Sequence, residues 1–249
     1  MRLARVSSAD LVEHIFAELA QGRGGWLVTA NLDFLRRHCH DAEARALYDA
    51  ADLRVADGMP LAWAAWLQGT PLPERVAGSS TIFSLVERAA SERRTVYLLG
   101  GTESANRGAA RVFAERYPGL QLCGQSTPAF STPPAPDEIA PVREELVALR
   151  PDLLLVALGS PKQEQIIAAL RPWLPATWMV GVGISLSFVA GEIRRAPRWM
   201  QRAGLEWVHR MAQEPGRLAR RYLLEDVPFA LRLLPSALLA RFSGDGKRP

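Results

Sequence analysis

The amino-acid sequence predicts an α/β protein with a Rossmann-like, mainly parallel sheet that carries helices on both faces. Through roughly the first 190 residues, short apolar runs alternate with helix-length amphipathic segments, which is the pattern of βα units. The clearest unit is the apolar run after Asp152, which passes through Gly159-Ser160-Pro161 directly into a polar, helix-compatible segment. With 48% hydrophobic residues in 249, the chain has ample apolar material for a buried core.

Six strands are predicted from the apolar runs, at about 25–30, 52–56, 95–99, 120–123, 152–158 and 177–182. Helices are predicted between them, at about 8–21, 41–51, 79–92, 103–116 and 136–149. A further helix is expected to open with Pro161 in its first turn and Ser160 as its N-cap. Segment 125–137 is rich in proline and small polar residues, which predicts a mobile loop near enough to a strand end to act as a lid.

The strand-like runs end near residue 192, and the chain divides there into a predicted catalytic domain, 1–191, and a helical C-terminal appendage, 192–249. The appendage holds 12 basic and 6 acidic residues, a balance of +6, whereas the rest of the chain holds 18 and 20. A basic, amphipathic helical segment favours an anionic partner, and the interleaved Trp and Leu residues favour a membrane surface over nucleic acid. A helix that packs on the sheet with its basic face in water is the alternative. On one helix, Arg210 and Arg217 would share a face that Arg220 and Arg221 continue.

Several protein classes are disfavoured by what the sequence lacks. Cys39 and Cys123 form no CxxC pair, which suits a reducing cytosol. The first residues lack the apolar core of a signal peptide, and no window approaches 18 apolar residues, so we expect a soluble or peripheral protein. A nicotinamide-dependent oxidoreductase would need the GxGxxG fingerprint, which is absent.

No metal or other cofactor is expected from the sequence. His38-Cys39-His40 are consecutive, so on a helix their side chains point in different directions. The chain also lacks Asp-x-Asp, the usual clamp for a metal-bound nucleotide sugar. A diphosphate ligand would therefore have to be bound by arginines or helix N-termini.

Candidate site residues follow the predicted strands, at the edge where α/β proteins bind ligands. Thr29 and Asn31 follow the first strand, and Asp57, in Ala56-Asp57-Gly58, follows the second and is suited to act as a general base. The remaining candidates are an arginine before a glycine turn and the residues of two further strand-end turns, namely Arg75, Gly100, Gly101, Gly159, Lys162 and Gln163.

Each candidate also has a plainer interpretation. Asn31 and Thr29 could be helix caps, Asp57-Gly58 could be a turn, and Lys162 could solvate a helix start. Lys162 is nevertheless one of two lysines in a chain with 28 arginines.

Taken together, these motifs resemble the WecG/TagA/CpsF glycosyltransferases (glycosyltransferase family 26), and the resemblance covers roughly residues 25–224. The motifs occur in the family's order: Thr29-Ala-Asn31, Ala56-Asp57-Gly58, Glu74-Arg75-Val-Ala-Gly78, Tyr97-Leu-Leu-Gly-Gly101, Tyr117-Pro-Gly119, Gly159-Ser-Pro-Lys-Gln-Glu164, Gly181-Val-Gly183, Arg195-Ala-Pro-Arg-Trp199 and Gly204-Leu-Glu-Trp207.

The resemblance implies an enzyme that moves a sugar from a UDP-sugar to a polyprenyl-diphosphate-linked sugar, with inversion and without a metal, in surface polysaccharide or cell-wall polymer synthesis. Asp57 matches the family's proposed base, with Thr29 and Asn31 beside it in the active site. Other matches are substrate-binding positions, namely Arg75, Gln163, Arg210, Arg217 and Arg220. The expected location is the cytoplasmic, inner face of the plasma membrane. A homo-oligomer is compatible with this interpretation, although the sequence does not define the oligomeric state.

The sequence departs from the family pattern at Ser80 and Ser187, where the family has Asp, and at Pro128-Ala129-Phe130, where it has a Gly-Tyr-Phe turn. Each departure removes a polar or flexible element near the expected donor pocket, so the donor sugar stays open. The departures also support an alternative, a non-catalytic nucleotide-sugar-binding protein on the same scaffold, against which the retained Asp57 argues.

Overall fold

One six-stranded parallel sheet forms the centre of the molecule. A computed structural model describes residues 1–242, apart from the side chains of Arg202 and Arg217. The strand order is β2-β1-β6-β5-β3-β4. The strands are β1 (Gly25–Ala30), β2 (Leu53–Ala56), β3 (Thr95–Gly100), β4 (Gln121–Ser126), β5 (Leu153–Ala157) and β6 (Trp178–Gly181). The predicted parallel α/β fold is confirmed.

Nine helices accompany the sheet within the described residues before the appendage begins. They are α1 (Ser8–Ala20), α2 (Leu32–His40), α3 (Ala42–Asp49), α4 (Met59–Leu67), α5 (Gly78–Ser91), α6 (Glu103–Arg116), α7 (Pro136–Leu149), α8 (Lys162–Leu170) and α9 (Ser185–Val189). A 3₁₀ turn, Arg171–Trp173, follows α8.

Two apolar cores lie on the two faces of the sheet, because neighbouring residues of a strand point to opposite faces. One core joins α1, α5, α6 and α9 to strand residues such as Leu155. The other joins α2, α3, α7 and α8 to strand residues such as Leu154. All five residues of β5 are buried, as expected for a central strand. The buried members of both cores lie between Leu11 and Val189, so the sheet domain contains its own core.

The start of α8 differs from the prediction. The helix begins at Lys162, Pro161 occupies the capping position, and no side chain caps the helix. Ser160 is therefore not the N-cap, and its hydroxyl oxygen instead lies 3.3 Å from the hydroxyl oxygen of Tyr48.

The loop predicted at 125–137 is shorter, since β4 includes Ser126 and α7 begins at Pro136. Phe130 buries its ring in the second core, and the Glu138 carboxylate accepts bonds from the backbone of Ser131 and Ala135. These contacts attach residues 127–135 to the domain.

The appendage is helical, as predicted, with α10 (Arg198–Arg202), α11 (Glu206–Gln213), α12 (Pro215–Arg220), a π-helical turn (Arg221–Asp226) and α13 (Val227–Phe242). The predicted continuous arginine face is wrong, because the chain leaves the helical conformation at Glu214 and restarts with Pro215. Arg210 and Arg217 consequently lie on different helices. Among residues 1–242, no helix is both long and apolar enough to span a membrane.

The appendage packs on the sheet domain at two places. Helix α13 lies against α4, and the π-helical turn lies against α2. Gly204 approaches Trp63 of α4 so closely that a Cβ at position 204 would lie 2.7 Å from the indole ring. The turn that leads into α11 is thereby seated on α4.

Candidate active site

Asp57 and Thr29 meet at the carboxyl ends of β2 and β1. The two strands pair in parallel, and the backbone N–H of Asp57 donates to the carbonyl of Ala30 at 2.7 Å. Both side chains flank Gly78, because a Cβ built there would lie 3.0 Å from Thr29 Oγ1 and 3.4 Å from Asp57 Oδ2. Glycine at position 78 therefore lets the first turn of α5 approach the carboxylate.

The environment of Asp57 suits a general base. Burial of the carboxyl raises its pKa to about 7, although the charge of Arg75 and the N–H of Gly78 oppose the rise. The negative charge of Glu206 raises the pKa further, and the charge of Arg195 lowers it. A base whose pKa lies near the working pH combines a useful deprotonated fraction with a real affinity for the proton.

Two arginines and one glutamate surround this carboxylate. Arg75 Nη1 donates to Glu206 Oε2 at 3.1 Å, and Arg195 Nε lies 3.5 Å from Glu206 Oε1. Arg195 Nη1 also donates to the Ser80 hydroxyl at 3.0 Å. Arg75 was predicted from the sequence, whereas Arg195 and Glu206 were not. Both lie in motifs that carried the family resemblance, and that was the available signal.

Asn31 is the N-cap of α2, which is the plainer of its two interpretations. Its side-chain oxygen accepts the backbone N–H groups of Asp33 at 3.0 Å and Phe34 at 3.3 Å. Its Cα lies 3.7 Å from the position that a Cβ at Gly58 would occupy, so Asn31 adjoins the Asp57-Gly58 turn. A contact with substrate stays a prediction.

The predicted glycines lie where neighbouring strands send their helices in opposite directions. Helix α6 leads from β3 to β4, and α8 leads from β5 to β6 on the other side, which creates the crevice that open α/β sheets use for ligands. Gly100, Gly101 and Gly159 lie here with positive φ angles of 88°, 79° and 73°. The Gly101 N–H donates to the carbonyl of Ala157 at 2.7 Å, which ties the two strand ends together.

Lys162 and Gln163 adjoin the same crevice, but both make contacts within the protein. The Gln163 side-chain oxygen accepts the Gly183 N–H at 3.0 Å, and its nitrogen donates to Glu164 at 2.6 Å. Lys162 Nζ donates to the carbonyl of Phe130 in the 127–135 loop. A role of either side chain in substrate binding stays a prediction.

The predicted appendage arginines lie on two helices, Arg210 on α11 and Arg220 on α12. Arg217 lies on α12 as well, but its side chain is outside the described part of the structure. The adjacent Arg221 reaches the buried Asp33 of α2, with 3.7 Å between Nε and Oδ2. Burial would raise the pKa of Asp33, but the charges of Arg221, Arg37 and Arg36 outweigh that effect and lower it.

Metal ligands do not cluster among the described residues: no group of three or more His, Cys, Asp or Glu side chains could hold an ion. His38 Nε2 instead lies 3.0 Å from Asp49 Oδ1, and His40 Nδ1 lies 2.8 Å from the carbonyl of Arg36.

At the carboxyl edge of the parallel sheet, a carboxyl group with a pKa raised to about 7 lies near two arginines, an arrangement that suits an α/β enzyme acting on an anionic substrate. The model of the glycosyl transferase WecG/TagA/CpsF family matches residues 1–242, so the chain belongs to that family and is a glycosyltransferase. The resemblance inferred from the motifs is confirmed.

Two relatives carry the same function name, N-acetylglucosaminyldiphosphoundecaprenol N-acetyl-beta-D-mannosaminyltransferase. The protein of Bacillus spizizenii (strain ATCC 23059 / NRRL B-14472 / W23) is 29% identical over 202 residues, covering 81% of this chain and 76% of the relative. The protein of Bacillus subtilis (strain 168) is 25% identical over 228 residues, covering 83% of this chain and 86% of the relative.

Proposed function

We propose that this glycosyltransferase moves a sugar from a UDP-sugar to a sugar carried on a polyprenyl diphosphate, with inversion at the anomeric carbon. The observation that carries the proposal is the Asp57 carboxyl, which has a pKa raised by burial to about 7 and lies near Arg75 and Arg195 at the ligand-binding edge of the sheet. Two relatives named for a diphosphoundecaprenol-linked acceptor support the acceptor class.

The proposed reaction is a single displacement. The acceptor hydroxyl attacks the anomeric carbon, the bond from that carbon to the diphosphate oxygen breaks, and UDP leaves. Asp57 takes the proton from the attacking hydroxyl, so no free alkoxide has to form. Arg75 and Arg195 stabilise the negative charge that develops on the diphosphate, which is the part that a metal ion plays in other transferases.

Glycine turns at the switch point are proposed to hold the donor. Gly100, Gly101 and Gly159 have no side chains that would hinder a ligand, and α6 starts directly after this turn with its N–H groups directed outward. Lys162 and Gln163 border the same crevice and would act at its rim. Asn31 and Thr29, beside Asp57, would orient the acceptor hydroxyl.

The appendage is proposed to place the enzyme on the inner face of the plasma membrane, where a polyprenyl carrier is anchored. Its balance of +6 favours anionic lipid, each basic residue near such a surface contributing roughly 1 kcal/mol. Several of its apolar side chains are about half exposed or more, and so is one on the adjoining α4, namely Leu223, Leu224, Leu231, Leu239, Phe242 and Trp66.

The test is mass spectrometry of the product formed from a panel of UDP-sugars and a short lipid-diphosphate-linked N-acetylglucosamine acceptor, with UDP-N-acetylmannosamine first in the panel. We expect one donor to add a single sugar residue and to release UDP, equally well in excess EDTA. Donor binding without product for every donor would favour the non-catalytic alternative. Loss of transfer in EDTA that Mg²⁺ or Mn²⁺ restores would contradict the role given to the arginines.

A further inference from the structure

Glu206 occupies the point at which the sheet domain and the appendage meet beside the base. Its carboxylate lies between Arg75 of the sheet domain and Arg195 of the segment before α10, at 3.1 Å and 3.5 Å respectively. Its side chain is 18% exposed, so both ion pairs are largely shielded from water. Arg75 and Glu206 are 131 positions apart in the sequence and meet because the Gly204 turn is seated on Trp63.

Two guanidinium groups close to one carboxyl group would repel each other and compete for it. The Glu206 carboxylate, with one oxygen toward each arginine, compensates that repulsion and fixes where each guanidinium points. The second anchor of Arg195 is Ser80, in the first turn of α5 next to Gly78. Arg195 is therefore held between the appendage and the helix whose first turn approaches Asp57.

We propose that Glu206 is a positioning residue that holds Arg75 and Arg195 beside Asp57, so that the active site is complete only when α11 is docked. Glu206 itself contacts neither the attacking hydroxyl nor the leaving group in this scheme. The inference rests on the proposed function, because it gives the two arginines their task in that reaction.

The charge of Glu206 gives this arrangement a measurable signature. The groups that face the Asp57 carboxyl are Arg75, Arg195, Glu206 and the Gly78 N–H, and among these Glu206 alone opposes ionisation of Asp57. In Glu206→Gln the shape is retained, but Arg75 and Arg195 lose the carboxylate that holds them beside Asp57. Because the charge of Arg75 lowers the pKa of Asp57 by more than the charge of Glu206 raises it, the displaced arginines should leave that pKa higher, and the acid limb of the pH–rate profile should move to higher pH.

The experiment compares the pH dependence of kcat/KM for the parent, Glu206→Gln, Glu206→Asp and Glu192→Gln. Glu192, an exposed acid at the start of the appendage, is the matched control, since its substitution changes the net charge by the same amount. For Glu206→Gln we expect a loss of roughly 10- to 100-fold in kcat/KM from misplaced arginines, with an acid limb at higher pH. Glu206→Asp should lose rate but keep the parental limb, and Glu192→Gln should match the parent.

A double-mutant cycle separates positioning from a general loss of structure. If Glu206 acts through Arg195, then the loss of kcat/KM caused by Glu206→Gln should be much smaller in an Arg195→Met background than in the parent. An acid limb in Glu206→Gln that is unshifted or moves to lower pH, or effects of the two substitutions that simply multiply, would overturn the inference. If Glu206→Gln does not fold, a Glu206→Asp limb displaced from the parental one overturns it as well. A parent protein that transfers no sugar from any donor would instead defeat the proposed function.

Discussion

At the scale of single residues, the structure assigns unequal tasks to side chains that look alike in the sequence. Asn31 and Asp57 both follow strands, yet the Asn31 oxygen caps α2, whereas the Asp57 carboxyl meets Thr29, Gly78 and a charged cluster. The Asn31 amide is not a base in any position, so of the two only Asp57 can accept a proton from a substrate.

Asp57→Asn should abolish most turnover while the fold remains. The amide keeps the shape but does not accept the proton, so we expect kcat to fall on the order of 10²–10⁴-fold with little change in donor affinity. Steady-state kinetics and UDP titration measure the two effects. Activity within about threefold of the parent would exclude Asp57 as the base.

Although Asp57→Asn should lower turnover, it should not lower the stability of the folded protein at pH 8. The pKa of Asp57 is raised from 3.8 in the unfolded chain to about 7, so the carboxyl favours folding when it is protonated. That contribution is present below pH 4 and is lost as the pH rises towards 7. At pH 8 the thermal midpoint of Asp57→Asn should therefore equal or exceed that of the parent. A lower midpoint would show that the charged carboxylate stabilises the fold.

The same pKa predicts the pH dependence of transfer. Because the base must be deprotonated, kcat/KM of the parent should fall as the pH drops, with a midpoint near 7 that reports the free enzyme. A profile that stays flat down to pH 5 would mean that the carboxyl titrates near its ordinary value of 3.8 and that its burial is relieved in solution.

The sequence alone indicated Asp57, Thr29 and Arg75 as candidates because each stands at a strand end or beside a glycine turn, where local patterns are informative. It missed Glu206 and Arg195 as site residues because their importance depends on contacts with Arg75 and Ser80, which are more than 100 positions away. No periodicity or spacing in the sequence encodes such a contact.

At the scale of elements, the strands were predictable because each is an apolar run between turn residues. The start of α8 was not predictable in this way. The position of Ser160 before a helix indicates a cap, but its hydroxyl pairs with the Tyr48 hydroxyl instead. The prediction of one continuous arginine face on the appendage was wrong, because Pro215 begins a new helix.

Because the helical conformation breaks between α11 and α12, Arg210 and Arg220 lie on separate helices and can be tested independently. Arg210→Ala and Arg220→Ala should each reduce kcat/KM by roughly tenfold or more if their guanidinium groups bond substrate diphosphate. Arg232→Ala, on the exposed surface of α13, is the matched control and should retain the parental rate. Equal losses in all three variants would indicate a general effect of positive charge on lipid attachment.

At the scale of the whole molecule, the sheet domain and the appendage contribute differently to folding. Since the buried residues of both cores end at Val189, deletion from residue 192 should leave a folded domain with near-parental far-ultraviolet circular dichroism. The truncated protein should lose transfer, because Arg195 and Glu206 are gone, and should no longer float with vesicles that contain anionic lipid.

Use of a short acceptor in the absence of membranes separates the two roles of the appendage. If the truncated protein turns over that acceptor at the full-length rate, the appendage acts as a membrane tether alone. If it is inactive although folded, the appendage completes the active site, as the ion pairs of Glu206 suggest.

The placement of both cores before residue 190 also bears on biosynthesis. Domains fold as units, N-terminal first, while a chain emerges from the ribosome. The sheet domain can therefore fold before the last appendage helix has been translated, and α4 then presents a finished surface on which α13 docks. A nascent chain whose synthesis stalls after the sheet domain would already contain Asp57 and Arg75 but lack Arg195 and Glu206. Such a translation intermediate should be folded and inactive.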